Sequence, residues 1–250
     1  MTIDNRGVLL KTKLLLPEPL WRRITLTARM FISKVPANIK YKVGLALRKK
    51  RYPYSVIGPG DVAVQLGAPA DLLADGRSRA AYFAHLVADS GKLVVMEPDP
   101  LNCEKLIAFL KNRKLDGKVI VVPKGGWSSD TQLKFYQSKT HPASAVCVDI
   151  NEALPQQMED RDYNIITVDV TTIDGVLKEY NLPSPKLVSI TTNGAELQIL
   201  KGMSGLLAEN PPEFLSLAID DSEYSDEMRD IGYKLLANDD RGFTFSLAKS

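Results

Sequence analysis

The chain has 250 residues, 44% of them apolar and 25% charged, and a formal net charge of +2 at pH 7. A chain this long buries roughly 70% or more of the surface it exposes when unfolded, and this composition excludes a disordered or fibrous protein. No apolar run approaches the ~18 residues of a membrane span, MTIDNRGVLL lacks the order of a signal peptide, and Cys103 and Cys147 form no CxxC pair, so a cytoplasmic protein with free thiols and no metal cluster is expected.

The charge is unevenly spread. Residues 1–51 carry 13 Lys or Arg against two acids, Asp4 and Glu18, whereas residues 52–250 carry 19 against 28. Such a basic head suits an anionic membrane, a nucleic acid, or packing against the acidic remainder. Within it, Leu20, Ile24, Ala28, Phe31 and Val35 recur at helical spacing, which predicts a basic amphipathic helix over residues 19–35, ended by Pro36. A helix of that kind lies on a membrane surface or covers a core edge, so peripheral membrane contact is one reading of the head. Aromatic residues for base stacking are few and the body is acidic, which disfavours a nucleic-acid partner. A second basic segment, KYKVGLALRKKRYPY, leads to the turn signal Gly58-Pro59-Gly60. The organisation read from this is a helical extension over residues 1–55 and a main domain over 56–250.

After Gly60 short apolar strands alternate with helices. Strands are predicted over residues 61–66, 92–96, 119–122, 166–170, 187–191 and 214–219, with helices over 79–88, 102–114, 174–180, 195–207 and 225–235. Residues 137–165 read as a long polar excursion with some strand in it, and GFTFSLA as a closing strand. The alternation implies a Rossmann-like α/β domain: a doubly wound, mostly parallel sheet with helices on both faces.

Ligands of such sheets bind beyond the carboxyl ends of the strands, where strand order reverses. The first strand runs into Gly67, which allows close backbone approach. The second ends in Glu97, whose two carboxylate oxygens suit the two hydroxyls of a ribose, although an acid at a strand end is also a common solvated cap. Gly125 and Gly126 follow the third strand and leave room for a flat ring on which Trp127 stacks, or form a plain turn. The fourth ends in TTNGAE, where Asn193 and Gly194 stand at the corner.

The runs GKLVVMEPDPLNCEKLIAFLKNRKL, DVTTIDGVLKEYNLPSPKLVSI and NGAELQILKGM resemble the FkbM family of S-adenosylmethionine-dependent methyltransferases, over residues 61 to about 245. The resemblance implies a class I methyltransferase sheet of seven strands with the last antiparallel. It also implies S-adenosyl-L-methionine as cofactor and methyl transfer to hydroxyl oxygens of small molecules, glycans or lipids. Two family motifs are altered. Where the family has D-x-G-A-N-x-G, this chain has Gln65, Gly67 and Ala68 but no second glycine; where it has K-x-D-x-E-G-A-E, this chain keeps Gly194, Ala195 and Glu196 but has Thr191 and Asn193 for the acids.

The lost acids are replaced by neutral hydrogen-bonding residues, which reads as a retuned site; a catalytically silent module that binds a nucleotide-like ligand or a protein is the alternative. Gln65, Gly67, Ala68, Glu97 and Trp127 are the candidate cofactor residues. The GRSR stretch adds Arg77, Ser78 and Arg79, near a helix start, for the methionine carboxylate. Glu196 is the candidate general base, with Asn193 beside it and Asp149 and Asp169 as weaker alternatives. An acid at the first turn of a helix is equally a structural partner of the dipole.

Overall fold

A computed structural model describes residues 3–4, 35–138, 146–149, 163–218 and 225–248. The helix expected over residues 19–35 lies outside them. The main sheet has strands β2 (Val62–Leu66), β3 (Lys92–Met96), β4 (Val119–Val122), β9 (Leu187–Ile190), β10 (Phe214–Leu217), β11 (Tyr233–Asn238) and β12 (Phe243–Leu247), plus a two-residue edge strand β1 (Ile3–Asp4). Their order is β1-β11-β12-β10-β9-β2-β3-β4. The β2–β3, β3–β4, β2–β9 and β9–β10 pairs are parallel, and β12 is antiparallel to both β10 and β11. This is the expected class I arrangement, seven mostly parallel strands, with β1 added at one edge. The chain steps outward from β2 through β3 to β4 and then returns to the other side of β2 as β9. The reversal of strand order therefore falls between β2 and β9, which is where a ligand crevice opens in a doubly wound sheet.

Strand alternation sends Val64, Leu66, Val188 and Ile190 to one face and Ala63, Leu93, Val95 and Leu187 to the other, and both faces are buried. On the first face pack α5 (Ile173–Glu179) and α6 (Glu196–Lys201); on the second pack α1 (Ala37–Arg48), α3 (Arg79–Leu86) and α4 (Pro100–Asn112). The basic segment KYKVGLALRKKRYPY thus supplies a helix, α1, seated on α3. Tyr41 stacks on Tyr82 with ring centroids 5.4 Å apart and donates its hydroxyl to the Ala81 carbonyl. Gly44 is required at the crossing, because a Cβ there would overlap the Tyr82 hydroxyl.

The excursion after β4 forms a second sheet that sequence patterning did not resolve. Strand β6 (Thr131–Ser138) pairs antiparallel with β7 (Val146–Asp149) and β8 (Tyr163–Thr171), and the short β5 (Gly125–Gly126) joins β8 in parallel. The predicted strand 166–170 is part of β8 and belongs here, not in the main sheet. The long helix predicted over 195–207 is two helices, α6 and α7 (Ser204–Glu209), because Gly202 lies against Trp127 and the chain turns there. The helix expected over 225–235 ends at α8 (Ser225–Asp230), after which Gly232, at φ +85°, starts β11.

Candidate active site

The turns leaving β2, β3 and β9 meet in one cleft. Gly67 has φ +83°, and a Cβ on it would stand 2.6 Å from the Thr191 carbonyl oxygen, so only glycine lets these turns approach so closely. The cleft holds about 70 Å³ and is lined by Gly67, Met96, Glu97, Phe135, Thr191, Thr192 and Asn193 among others. That is less than the ~300–1,000 Å³ of a typical small-molecule pocket, so a nucleoside-sized ligand requires its walls to part. Among the described residues, Glu97 is the one ionisable residue in the lining.

Glu97 is buried, and each of its oxygens already has a partner. Oε2 accepts from the Ala68 amide at 2.6 Å; Oε1 accepts from the Asp99 amide at 3.0 Å and from Asn102 Nδ2 at 3.3 Å. A carboxylate offers about four acceptor sites, so capacity remains for one further donor. Burial pushes its pKa above the ordinary carboxyl range, against the Ala68, Asp99 and Asn102 hydrogen bonds, which lower it. Ala68 therefore serves the site through its backbone, as the link between the β2 turn and Glu97. Asp99 caps α4, accepting from the Leu101 and Asn102 amides, and receives Gln137 from β6 at 2.7 Å, which ties the second sheet to the cleft.

Gln65 is wholly buried at the end of β2. Its Nε2 donates to the carbonyls of Leu66 (2.7 Å) and Gly67 (2.9 Å) and to Thr191 Oγ1 (2.7 Å). Carbonyl oxygens only accept, so a carboxylate here would face them without a proton to share, whereas an amide holds the two turns together. That answers why this position carries an amide in this chain.

Asn193 is exposed on the cleft rim, next to Gly194, whose φ is +84°. Glu196 lies beneath this turn, buried, and its Oε1 accepts from Thr192 Oγ1 at 3.1 Å. Burial raises its pKa, opposed by hydrogen bonds from its own amide, Thr192 and the Gly194 amide. Glu196 is not part of the cleft lining; Thr192 stands between.

Several predicted residues sit elsewhere. Arg79 is buried under the sheet with both terminal nitrogens engaged: Nη1 donates to Ser189 and Ser216, and Nη2 to Asp239 and Asp240, each of the last two at 2.7 Å. It is a structural cation and not a clamp for a ligand carboxylate. Ser78 is the N-cap of α3, accepting from the Ala81 amide, and Arg77 is exposed outside the cleft lining. Trp127 packs against two core clusters instead of stacking in the cleft, and the room left by Gly126 is taken by Leu66 and Ile199, that left by Gly125 by Val170. Phe135, from the unforeseen second sheet, supplies the aromatic wall. Asp169 points to solvent and accepts from Gln132, while the side chain of Asp149 lies outside the described residues.

Comparison with known proteins agrees with this architecture. The family model described as "Methyltransferase FkbM domain" matches residues 65–243. Among solved structures the chain is similar to methyltransferase FkbM from Methylobacillus flagellatus KT, at 16% identity and a TM-score of 0.50, over 78% of this chain and 46% of that one. It therefore spans a little under half of that protein's length. A methyltransferase from Geobacter sulfurreducens is similar at 14% identity and a TM-score of 0.44, over 100% of both chains. Likeness to the Methylobacillus flagellatus structure at 16% identity speaks for the fold alone. No curated protein sequence matches the chain.

Proposed function

The chain belongs to the FkbM methyltransferase domain family, and from that premise we propose that it transfers a methyl group from S-adenosyl-L-methionine to a hydroxyl oxygen of a small molecule, glycan or lipid. The observation that carries this reading is the convergence of Gly67, Glu97 and the Thr191–Asn193 turn on one cleft at the strand-order reversal. The residues fit the cofactor: among the described residues the cleft has one carboxylate with spare acceptor capacity for a ribose hydroxyl, apolar walls in Met96, Pro98 and Phe135, and no Lys or Arg to repel a sulfonium. When bound, the cofactor supplies an electrophilic methyl carbon.

The protein's part is alignment and a proton path. Asn193 at the rim orients the acceptor hydroxyl by hydrogen bonding. Thr192 Oγ1 takes the hydroxyl's proton while passing its own to Glu196 along the existing 3.1 Å hydrogen bond. Thr192 ends unchanged, Glu196 ends protonated, and the acceptor oxygen carries the electron pair that forms the new bond to carbon. The raised pKa of Glu196, caused by burial, makes it a stronger proton acceptor than an exposed carboxylate.

Purified protein incubated with methyl-labelled cofactor and fractionated extract tests the reading. Label in a base-stable methyl ether supports it, whereas label released by mild base as methanol, from a methyl ester, would place the transfer on a carboxylate and contradict it. Binding of S-adenosylhomocysteine with no transfer to any fraction would support the silent module instead.

A further inference from the structure

The outer face of α1 is unlike the rest of the surface. Ile39, Val43 and Leu47 are 47%, 53% and 60% exposed and recur every four residues, which sets them in one stripe along the helix. Lys42 and Lys49 border the stripe on one side and Lys40 on the other, and Lys50 follows at its end. Among the described residues, neither Lys42 nor Lys49 has an ion-pair partner. Beside this border lies a cavity of about 400 Å³, walled by Leu45 and Leu86 and rimmed by Lys42, Lys49, His85 and Arg113, with no acid among the described residues of its lining. Arg113 is held over the rings of Tyr41 and Phe109, 4.5 Å from each centroid, so its guanidinium is set in place before any ligand arrives.

From this we infer that α1 docks on an anionic phospholipid surface, with Ile39, Val43 and Leu47 entering the acyl boundary and the Lys42–Lys49–Arg113 cavity taking a phosphate headgroup. The contact is independent of which acceptor is methylated. An apolar stripe between lysines is the pattern of a helix lying in a membrane interface, the lysine stems reaching along the apolar zone to keep their charge among headgroups. Charge decides between occupants. Residues 1–34 carry seven Lys or Arg and two acids, so covering α1 with them would set like charge on like, whereas an anionic bilayer neutralises both. No helix among the described residues is long and apolar enough to cross a membrane, and this contact needs none.

Sedimentation of the full chain with vesicles tests the inference. The protein is expected to pellet with equimolar phosphatidylcholine and phosphatidylglycerol, to stay in solution with phosphatidylcholine alone, and to be released by salt. The pair V43D/L47D lowers the partition coefficient by roughly tenfold or more, and K42E/K49E lowers it by about tenfold or more and flattens its salt dependence. All four side chains are exposed, so both variants should keep the wild-type unfolding temperature and S-adenosylhomocysteine binding. No pelleting with the anionic vesicles overturns the inference. So does equal pelleting of both variants, which would assign the contact to residues 1–34. A wild-type dimer that V43D/L47D turns into a monomer, with vesicle binding unchanged, would assign the stripe to a second copy and overturn it as well.

Discussion

The cleft and the ion cluster around Arg79 lie on neighbouring stretches of the same strands, yet one has little charge and the other concentrates it. In β9, Ser189 meets Arg79, and Thr191, just beyond the strand end, meets Gln65. Under the sheet, Asp239 accepts from Arg79, Ser216 and Thr244 side chains and from the Arg241 and Gly242 amides, so a charge with almost no solvent contact has every lone pair used. Burial works against the Arg79 cation, and Asp239 and Asp240 more than reverse that, raising its pKa further. At the strand ends, by contrast, amide and hydroxyl groups do the tying, and the space beside them carries a single carboxylate. Charge is tolerated where it is ion-paired and kept fixed, and is withheld where a ligand must come and go.

The largest effect should come from breaking the cluster. Replacing Asp239 by Ala leaves the buried Arg79 cation only the partly exposed Asp240 as counter-charge and strands the Ser216 and Thr244 hydroxyls, and urea unfolding should report a loss of about 3–5 kcal/mol, with the cleft's ligand binding reduced only through unfolding. At the cleft, Thr192→Val removes the proposed proton path while leaving Glu196 in its turn, and should lower the transfer rate by roughly a hundredfold, within the usual range for general-base groups. Its sharper signature is pH dependence. With Glu196 as the proposed base, the wild-type rate should fall as pH drops through its raised pKa, because the base must be ionised; in Thr192→Val that acid limb should vanish. Restoring a carboxylate with Gln65→Glu sets charge against the Leu66 and Gly67 carbonyls. It should cost about 1–3 kcal/mol of stability, the penalty of a buried polar group facing the wrong partners.

The smallest expected effect separates the two regions by the sign of their acid response. Burial pushes the Asp240 carboxyl up, but the charge of Arg79, hydrogen bonds from Arg79 and Tyr54, and the charge of Arg241 bring it below the ordinary range. Its stabilisation is therefore present above the unfolded carboxyl value and lost as pH falls through the native one. Glu97 and Glu196 are raised, so their contribution has the opposite sign, full at low pH and lost as pH rises through their native values. Asp240→Asn should flatten the acid side of a stability-against-pH curve, while Glu196→Gln should leave that side intact and raise stability near neutral pH relative to its own acid value.

Much of this was legible in residue order because parallel strands buried on both faces read as continuous apolar runs, and Gly67, Glu97 and Asn193 follow such runs directly. The helix expected from residue 102 starts two residues earlier, at Pro100, where Asp99 caps it and proline suits the first turn. The second sheet was not legible: in TQLKFYQS the buried residues Leu133, Phe135 and Tyr136 do not alternate cleanly with the exposed Thr131 and Gln132, so Phe135 gave no sign of its role. Arg79 misled for a different reason. An arginine at a helix start suits an anion equally well whether the anion is a ligand or Asp239, and Asp239 is 160 residues away in sequence. Gln65 showed that an acid was missing but not why, since its reason, two carbonyl oxygens and a hydroxyl, exists only once the two turns meet.

The cofactor cleft itself is tested most directly by calorimetric titration of S-adenosylhomocysteine into the wild type and into Gly67→Val, with circular dichroism to establish that both are folded. Saturable binding to the wild type that disappears in the folded variant, where the added side chain collides with Thr191 and closes the crevice, is the predicted result. Absence of binding to the wild type at millimolar ligand, or equal binding to both proteins, would contradict the assignment of this cleft.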